Sequence, residues 1–335
     1  MNIQSESLHS SNSYRSNLYR QQLPQLSSKG KFFITDGGLE TDLIFNQGIH
    51  LPQFAAFILL RDAIGKAALS RYFEQYVVIA RQYNTGLVLE SPTWRASRDW
   101  GEQLGYDSAA LTKVNKEAIA FFQDLRAEAE TAVSPIVISG CIGPRGDGYN
   151  PDSYMDIETA QQYHTAQVEA FESAGADMVS AITMTYVEEA IGIAQAAQAA
   201  SIPAVISFTV ETDGRLPSGQ ELKAAIEQVD RVTSSSPAYY MINCAHPTHF
   251  QQVIAGGEAW SDRIYGIRAN ASKKSHAELD ESDTLDDGNP QALGADYLAL
   301  KKKLRHLTVM GGCCGTDYRH VQAICEAFSP AVAAK

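Results

Sequence analysis

The sequence predicts a single (β/α)8 barrel of the TIM type, preceded by a flexible N-terminal arm. Eight short apolar segments recur along the 335-residue chain. Segments in which apolar residues follow a helical period lie between them. No glycine-rich dinucleotide-binding motif follows the first apolar segment, which argues against the competing fold, an open doubly wound sheet.

The predicted strands are near-continuous apolar runs, as expected of parallel strands that are covered on both faces. They span residues 32–38, 86–92, 135–144, 176–183, 203–210, 239–245, 263–270 and 307–315. The predicted helices span residues 63–83, 108–130, 158–175, 188–201, 218–235 and 289–306. In the first of these helices, Ile64, Ala68, Tyr72, Tyr76 and Ile79 recur at spacings of three or four residues. Eight such strand and helix units predict a closed barrel.

Residues 1–29 differ in composition from the rest of the chain. They are polar and carry no core-forming period, so we predict a disordered arm there and a barrel domain over residues 30–335. The arm lacks the apolar centre of a secretory signal; its Ser and Arg content leaves a transit peptide as the alternative. No apolar run approaches the roughly 18 residues that a membrane span needs.

Charge and cysteine content limit the classes of partner. With 27 Lys and Arg against 39 Asp and Glu, the formal net charge is −12, which argues against a nucleic-acid partner and suits a cationic small molecule. The five cysteines are odd in number and two are adjacent, so no disulfide framework is expected. A reducing, cytoplasmic setting is predicted, and homo-oligomer formation is left open.

Three cysteines fall where a barrel carries its active site, at the carboxyl ends of strands. Cys244 closes the sixth strand, and Cys313 and Cys314 lie in GGCCGT after the eighth. Three thiolates with a fourth position open are the ligand set of a reactive Zn²⁺, whereas structural zinc sites fill all four positions. The alternative for Cys244 is a buried packing residue. Cys141, at the end of the third strand, and Cys325, in a helix, are interpreted as packing residues.

Such a zinc site suits a thiol substrate. A free thiol is only a few per cent thiolate at neutral pH, and coordination to the cation deprotonates it. A zinc-bound water for hydrolysis or lyase chemistry is disfavoured, since three thiolates weaken the metal as a Lewis acid.

Five motifs together resemble the homocysteine S-methyltransferase family. They are DGGLET (36–41), GCIGPRG (140–146), YHTAQVEAFESAGADM (163–178), MINC (241–244) and GGCCGT (311–316). The resemblance runs from about residue 32 to residue 328. It implies a zinc-dependent enzyme that moves a methyl group from a cationic or activated donor, such as betaine, S-methylmethionine or S-adenosylmethionine, to homocysteine to give methionine.

The resemblance also implies roles for individual residues. The zinc ligands carried over by position are Cys244, Cys313 and Cys314. Asp36, with Gly37 beside it, matches the aspartate that helps hold the amino acid part of homocysteine; its alternative is a turn or helix-capping residue. Asn243 and Asn270 are predicted to lie at the substrate, or else to support the ligands or form turns.

One position departs from the family pattern. Ile182 stands where members of defined activity carry a glutamate that contacts the amino group of homocysteine. Glu90, at the end of the second strand, is predicted to supply the carboxylate instead, unless it pairs with Arg95 or Arg98. The departure leaves two alternatives open: another thiol or selenol acceptor, and a non-catalytic zinc- or thiol-binding barrel.

The methyl donor is predicted to bind through aromatic side chains in the barrel mouth. Trp94, Tyr149 and Tyr186 follow the second, third and fourth strands, and their rings suit a cation. The alternative for each is packing. The acidic loop 271–290 is either a lid or a solvated loop.

Overall fold

The computed structural model describes residues 17–27, 31–149, 153–254 and 257–329. Within these residues, eight parallel strands pair in chain order, and β1 also pairs with β8, so the sheet closes. The strands are β1 (Phe33–Ile34), β2 (Gly86–Glu90), β3 (Ile136–Ile142), β4 (Met178–Met184), β5 (Ala204–Phe208), β6 (Tyr239–Asn243), β7 (Ile264–Ala269) and β8 (Val309–Gly312). The predicted (β/α)8 barrel is confirmed.

Helices lie outside the sheet and in the loops at its ends. They are α1 (Pro24–Ser27), α2 (Leu39–Thr41), α3 (Ala63–Tyr83), α4 (Arg98–Gln103), α5 (Ser108–Ala129), α6 (Ile157–Ala174), α7 (Val187–Ala199), α8 (Leu222–Thr233), α9 (Pro247–Phe250), α10 (His276–Asp280), α11 (Pro290–Lys301) and α12 (Tyr318–Phe328). One π-helical turn (Asp42–Asn46) and three 3-10 turns (Pro52–Phe54, Ala56–Arg61, Ser261–Arg263) complete them. None of the described helices is both long and apolar enough to cross a bilayer.

Alternation along the strands builds two apolar cores. Side chains that point outward pack against the helices; they include Ile34, Leu87, Leu89, Ile136 and Ile138. Side chains that point inward fill the barrel; they include Phe33, Val88, Val137, Met178, Tyr239 and Val309. Burial on both faces explains why each strand reads as a continuous apolar run in the sequence.

Residues 17–27 correct the prediction of a disordered arm. This segment packs against the amino-terminal end of the barrel, where Leu23 is buried with the inward-facing core and Gln25 is fully buried. The Gln25 amide lies 3.3 Å from the hydroxyl of Tyr239, the first residue of β6. The remainder of the predicted arm lies outside the described residues. Leu23 is a lone apolar anchor without a period, which is why the pattern did not reveal it.

Candidate active site at the barrel mouth

A cavity of about 180 Å³ opens at the carboxyl ends of the strands. Its wall combines the turn after β1, the ends of β2 to β4 and the loops after β6 and β8. Of the residues predicted for the site, the wall contains Asp36, Gly37, Glu90, Trp94, Cys244, Cys313 and Cys314. The site therefore lies at the end of the barrel where the sequence predicts it.

The three predicted ligand cysteines form one cluster. Their sulfurs all lie within 4.8 Å of one another. Cys244 and Cys313 are paired as a disulfide, with their Cα atoms 5.3 Å apart, whereas Cys314 is free. This single pair joins two of the predicted ligands and is not the framework of several disulfides that the sequence argues against. The convergence of the three cysteines brings two of the sulfurs within bonding distance. The sulfur of Cys141, although in the same wall, lies outside the cluster.

The backbone beneath the cluster is strained. Cys244 has a φ of 52° and Thr183, at the end of β4, has a φ of 67°. Both are left-handed conformations that non-glycine residues rarely adopt, least of all a β-branched one, and such strain concentrates at functional sites. The turn after β1 packs on the opposite side, where a Cβ at Gly38 would lie 2.5 Å from the Cys313 carbonyl oxygen. Only glycine allows this approach.

Asn243 and Asn270 make polar contacts with the loops that carry Cys244 and Cys313. The side-chain Oδ1 of Asn243 accepts a hydrogen bond of 2.9 Å from the backbone amide of Thr183, and the Asn243 Nδ2 lies 3.9 Å from the Cys313 sulfur. The Asn270 Nδ2 donates to the Cys244 carbonyl oxygen at 3.0 Å. Neither asparagine belongs to the cavity wall. Their predicted contact with the substrate stays a prediction, and the observed hydrogen bonds match the alternative in which they support the cysteines.

The loop 271–290 packs over the cluster. Its His276 is buried, with Nε2 2.7 Å from the Cys244 carbonyl oxygen. The His276 ring stacks on the ring of Tyr149 with centroids 4.1 Å apart, and the Tyr149 hydroxyl donates to the Cys314 sulfur at 3.3 Å. The loop thus touches the cysteine loops through His276, whereas many of its other residues are exposed, and its role as a lid stays a prediction. Tyr149 contacts a ligand cysteine.

Asp36 is engaged by the protein itself. Its Oδ1 accepts a hydrogen bond of 2.7 Å from Arg268, and its Oδ2 accepts one of 3.1 Å from the Tyr72 hydroxyl. Arg268 also donates to the carbonyl oxygen of Gly37 at 3.1 Å. Burial raises the pKa of Asp36, against the opposing effect of the guanidinium. Each carboxylate oxygen keeps a second lone pair, but Asp36 is less available to a ligand than the resemblance implies.

Glu90 is buried at the end of β2, near the hydroxyl groups of Ser139 and Ser180, which lower its pKa. It is 3% exposed, and neither carboxyl oxygen makes a hydrogen bond of standard geometry with a described residue. The alternative pairings do not form, because Arg98 pairs with Asp99 and Arg95 stacks on two indole rings. Burial raises the pKa of Glu90, and Arg268 opposes the rise. A buried carboxyl in a cavity wall without hydrogen bonds is a site that a ligand can satisfy.

The predicted contacts of Trp94, Tyr149 and Tyr186 with the donor stay predictions, and each of these rings already has a contact within the chain. The Arg95 guanidinium lies 4.0 Å from the centroid of Trp94 and 3.7 Å from that of Trp100. Trp94 also donates its Nε1 hydrogen to the Ile182 carbonyl oxygen at 3.2 Å. One face of Trp94 is thus occupied by a cation of the chain itself. Tyr186 is buried away from the cavity wall and packs instead.

Glu40 joins the cavity wall without having been predicted. It belongs to the short helix α2, and its carboxylate forms no ion pair with the described residues. Burial raises the pKa of Glu40 to about 7. In the sequence, Glu40 is indistinguishable from an acid that stabilises the first turn of a helix.

Comparison with known proteins shows which family the chain belongs to. The sequence profile described as homocysteine S-methyltransferase matches residues 33–328. The chain belongs to the homocysteine S-methyltransferase family. No curated protein sequence matches the chain.

Solved structures of a homocysteine methyltransferase share the family fold. The metallated form of MmuM from Escherichia coli is 18% identical, with a TM-score of 0.69 over 90% of this chain and 98% of that chain. Its oxidized form is 18% identical, with a TM-score of 0.65 over 89% and 96%. Its apo form is 17% identical, with a TM-score of 0.63 over 90% and 97%. At these identities the likeness is one of fold.

The departure from the family pattern lies in the cavity. Ile182 is 6% exposed and forms part of the wall, next to Thr183. Strand β4 therefore presents an apolar side chain where the resemblance places the family's glutamate. Glu90, on the nearby strand β2, is in the same wall.

Because the pKa of Glu40 is raised, we expect replacement of its carboxyl group to increase the stability of the fold, by an amount that depends on pH. In the folded chain the Glu40 carboxyl keeps its proton up to about pH 7, whereas in the unfolded chain it loses the proton near its usual pKa of 4.5. The free energy of unfolding therefore falls as the pH rises from 4.5 to about 7, and this loss of stability is complete above pH 7. We expect Glu40→Gln to be more stable than the parent by about 1–2 kcal/mol at pH 8, and by clearly less at pH 5.

Urea denaturation at both pH values measures the effect. Glu74→Gln, an exposed change on α3, is the matched control and should alter stability at neither pH. A Glu40→Gln effect of equal size at pH 5 and pH 8 would show that the carboxyl is not held protonated by the fold.

Proposed function

We propose that this chain is a zinc-dependent S-methyltransferase that moves a methyl group from a cationic or activated donor to homocysteine, giving methionine. The observation that carries the proposal is the convergence of three cysteine sulfurs within 4.8 Å, in the wall of an open cavity. Because the cluster depends on reduced thiols, we place the reaction in the cytoplasm. The substrates are two small molecules, a thiol acceptor and a methyl donor.

The donor set fits zinc. Cys244, Cys313 and Cys314 offer three soft ligands, which is one fewer than a closed structural site. The disulfide uses two of the same sulfurs, so it and a bound metal are alternative states of one cluster. When bound, zinc lowers the pKa of a coordinated thiol and keeps it as a thiolate at neutral pH.

Residues around the cluster hold the cysteines in place. Asn270 and His276 both bond to the Cys244 carbonyl oxygen, and Tyr149 donates to the Cys314 sulfur. These contacts fix the loops that carry the ligands before any substrate arrives, which lowers the entropy lost on binding.

In this proposal, the amino acid part of the acceptor is bound by residues at the carboxyl ends of β2 and β7. We propose that Glu90 receives the ammonium group, because its carboxyl is buried, lies in the cavity wall and makes no ion pair or hydrogen bond of standard geometry with a described residue. Arg268, held by Asp36, is a cation of the same wall and suits the acceptor carboxylate. Strand β2 thereby takes over the role that the family's glutamate has on β4.

Ile182 favours a second candidate function. A thiol or selenol that lacks an amino group would meet an apolar wall at this position rather than a carboxylate. A chain that binds thiols without methyl transfer is the remaining alternative.

An assay of methyl transfer tests the proposal. The reduced, zinc-loaded protein is mixed with homocysteine and, in turn, with S-methylmethionine, S-adenosylmethionine and betaine, and mass spectrometry detects methionine. We expect methionine with at least one donor. Methylation only of thiols without an amino group would favour the second candidate, and binding without methylation of any thiol would contradict an enzymatic role.

Binding of the acceptor should release protons. The sulfur arrives as a thiol and remains as a thiolate, so we expect about one proton per thiol bound near neutral pH. 4-Mercaptobutyrate isolates this proton because it has no ammonium group to perturb Glu90. Calorimetry in buffers of different ionisation enthalpy gives the number directly. A thiol that binds without releasing a proton would exclude binding as a thiolate.

A further inference from the structure

Strand β4 ends in an irregularity that turns two consecutive side chains toward the cavity. Neighbouring side chains of a regular strand point to opposite faces, yet Ile182 and Thr183 both lie in the cavity wall. The pairing of β4 with β5 shifts its register between Ala181 and Met184, and Thr183 has a φ of 67°. A β-branched residue in the left-handed region is strained, and such strain persists only where the surrounding structure holds it.

Asn243 supplies the contacts that hold Thr183. Its Oδ1 accepts hydrogen bonds from the Thr183 backbone amide at 2.9 Å and from the Ser207 hydroxyl at 2.6 Å. Its Nδ2 donates to the Thr183 hydroxyl oxygen at 2.8 Å. Because the Asn243 oxygen receives two donors, the orientation of its amide is fixed, and the NH₂ group must face the Thr183 hydroxyl.

The direction of the Thr183 hydroxyl hydrogen follows from this contact. The hydroxyl oxygen accepts a hydrogen bond from Asn243, so its own hydrogen is directed to another acceptor. Among the described residues that acceptor is the Cys244 sulfur, which lies 3.8 Å from the Thr183 oxygen, within the longer reach of a sulfur atom. Thr183 therefore aims a hydroxyl hydrogen at a predicted zinc ligand.

The other two predicted ligands have donors as well. Nδ2 of Asn243 lies 3.9 Å from the Cys313 sulfur, and the Tyr149 hydroxyl lies 3.3 Å from the Cys314 sulfur. The sulfurs of Cys244 and Cys313 are joined to each other in this structure. Neutral sulfur accepts hydrogen bonds weakly, whereas a charged acceptor makes stronger ones. The donors therefore stabilise the cluster most when its sulfurs are thiolates.

We propose that Thr183 is a positioning residue of the metal cluster, whose hydroxyl donates to the Cys244 thiolate and withdraws negative charge from it. This inference rests on the proposed function, since it concerns the zinc-bound state. Three thiolates overcompensate the charge of the cation. A hydrogen bond to a ligand sulfur removes part of that excess, so the metal binds a fourth ligand, the acceptor sulfur, more strongly. The left-handed backbone at Thr183 keeps its side chain beside Cys244.

Substitutions at this one position isolate the hydroxyl. Thr183→Val keeps the β-branched shape without a donor, and Thr183→Ser keeps the hydroxyl without the methyl group. In competition with a chelator, we expect the reduced Thr183→Val protein to bind zinc about 10-fold more weakly than the parent. Thr183→Ser should stay within about threefold of the parent. If Thr183→Val fails to fold, Thr183→Ala is the second variant without a donor.

Thr185→Val is the matched control. Thr185 is also buried, just beyond the end of β4, but its hydroxyl makes no hydrogen bond with the described residues. Its replacement removes a threonine hydroxyl from the same segment without touching a ligand sulfur. We therefore expect the zinc affinity of Thr185→Val to equal that of the parent.

Cobalt gives a readout that a purely structural role would not change. Co²⁺ takes the place of zinc, and its sulfur-to-metal charge-transfer absorption reports the electron density on the ligand sulfurs. Loss of a hydrogen bond raises the energy of the sulfur lone pairs. We therefore expect the band to move to longer wavelength in Thr183→Val and Thr183→Ala, and to stay in place in Thr183→Ser. An unmoved band in the variants without a donor, or an equal shift in Thr183→Ser, would overturn the inference.

The methionine assay separates this inference from the proposed function. If the band shifts as expected and no donor yields methionine, the proposed function fails and the role of Thr183 stands. If methionine forms and neither the band nor the zinc affinity depends on the Thr183 hydroxyl, the function stands and this role fails. A reduced parent protein that binds neither zinc nor cobalt would refute both.

Discussion

Replacement of Cys313 by alanine is expected to abolish zinc binding and to lower the rate of methionine formation by roughly 1,000-fold or more. The sulfur belongs to the cluster in which all three ligand atoms lie within 4.8 Å. Two remaining cysteines hold zinc weakly and leave its position undefined. The fold should persist, because the ligands lie in loops above a core that eight strands already form. Metal analysis, circular dichroism and the methionine assay measure the three properties.

Cys141→Ala is the matched control for this change. Cys141 is a free cysteine in the same cavity wall, but its sulfur is not part of the cluster. We expect it to retain zinc, with a modest loss of stability from the small cavity that remains. Full zinc occupancy in the double variant Cys313→Ala, Cys314→Ala would remove the metal from these positions.

Replacement of Glu90 by glutamine is expected to lower kcat/KM for homocysteine by about 100-fold, mainly through KM. An ammonium group placed in a buried wall without a carboxylate loses its hydration, at a cost of several kcal/mol. Glu90 is a buried carboxyl of that wall, and its oxygens make no hydrogen bond of standard geometry with the described residues. 4-Mercaptobutyrate, which lacks the ammonium, should be methylated by the variant as fast as by the parent.

A second substitution tests whether binding of the homocysteine ammonium group requires a carboxylate at Glu90 itself or a carboxylate elsewhere in the same wall. Ile182 lies in the same wall, so Ile182→Glu restores a carboxylate at the place where the family carries one. In the Glu90→Gln background, it should recover most of the lost preference for homocysteine. If Glu90→Gln alone keeps the preference of the parent, the ammonium binds elsewhere, and our account of acceptor recognition is wrong.

Much of the fold was predictable because burial on both faces leaves a local signature. Each strand of a closed parallel barrel contacts apolar groups inside and outside, so its residues form an apolar run that is visible without knowledge of the fold. The loops at the carboxyl ends of the strands then bring Cys244, Cys313 and Cys314 together. The segment that carries Leu23 was not predictable, since its one buried apolar residue forms no period.

Residues whose role depends on a distant partner were the ones that the sequence concealed. Arg268 pairs with Asp36 across 232 positions of the chain. A charged residue inside the apolar run RIYGIRAN was a signal that some buried partner exists, but not which one. Glu40 and Trp100 have local patterns typical of helix surfaces. Trp100 stacks on Arg95 within the segment after β2, whereas Glu40 joins the same cavity wall only when the loops after β1 and β2 meet.

X-ray absorption at the zinc edge of the reduced, zinc-loaded protein tests most directly whether the acceptor sulfur joins the three cysteines. Without acceptor, we predict about three sulfur neighbours at roughly 2.3 Å, completed by one lighter atom. After addition of homocysteine, the number of sulfur neighbours should rise to about four and the lighter atom should disappear. An unchanged coordination shell in a sample that demonstrably binds homocysteine would contradict the account.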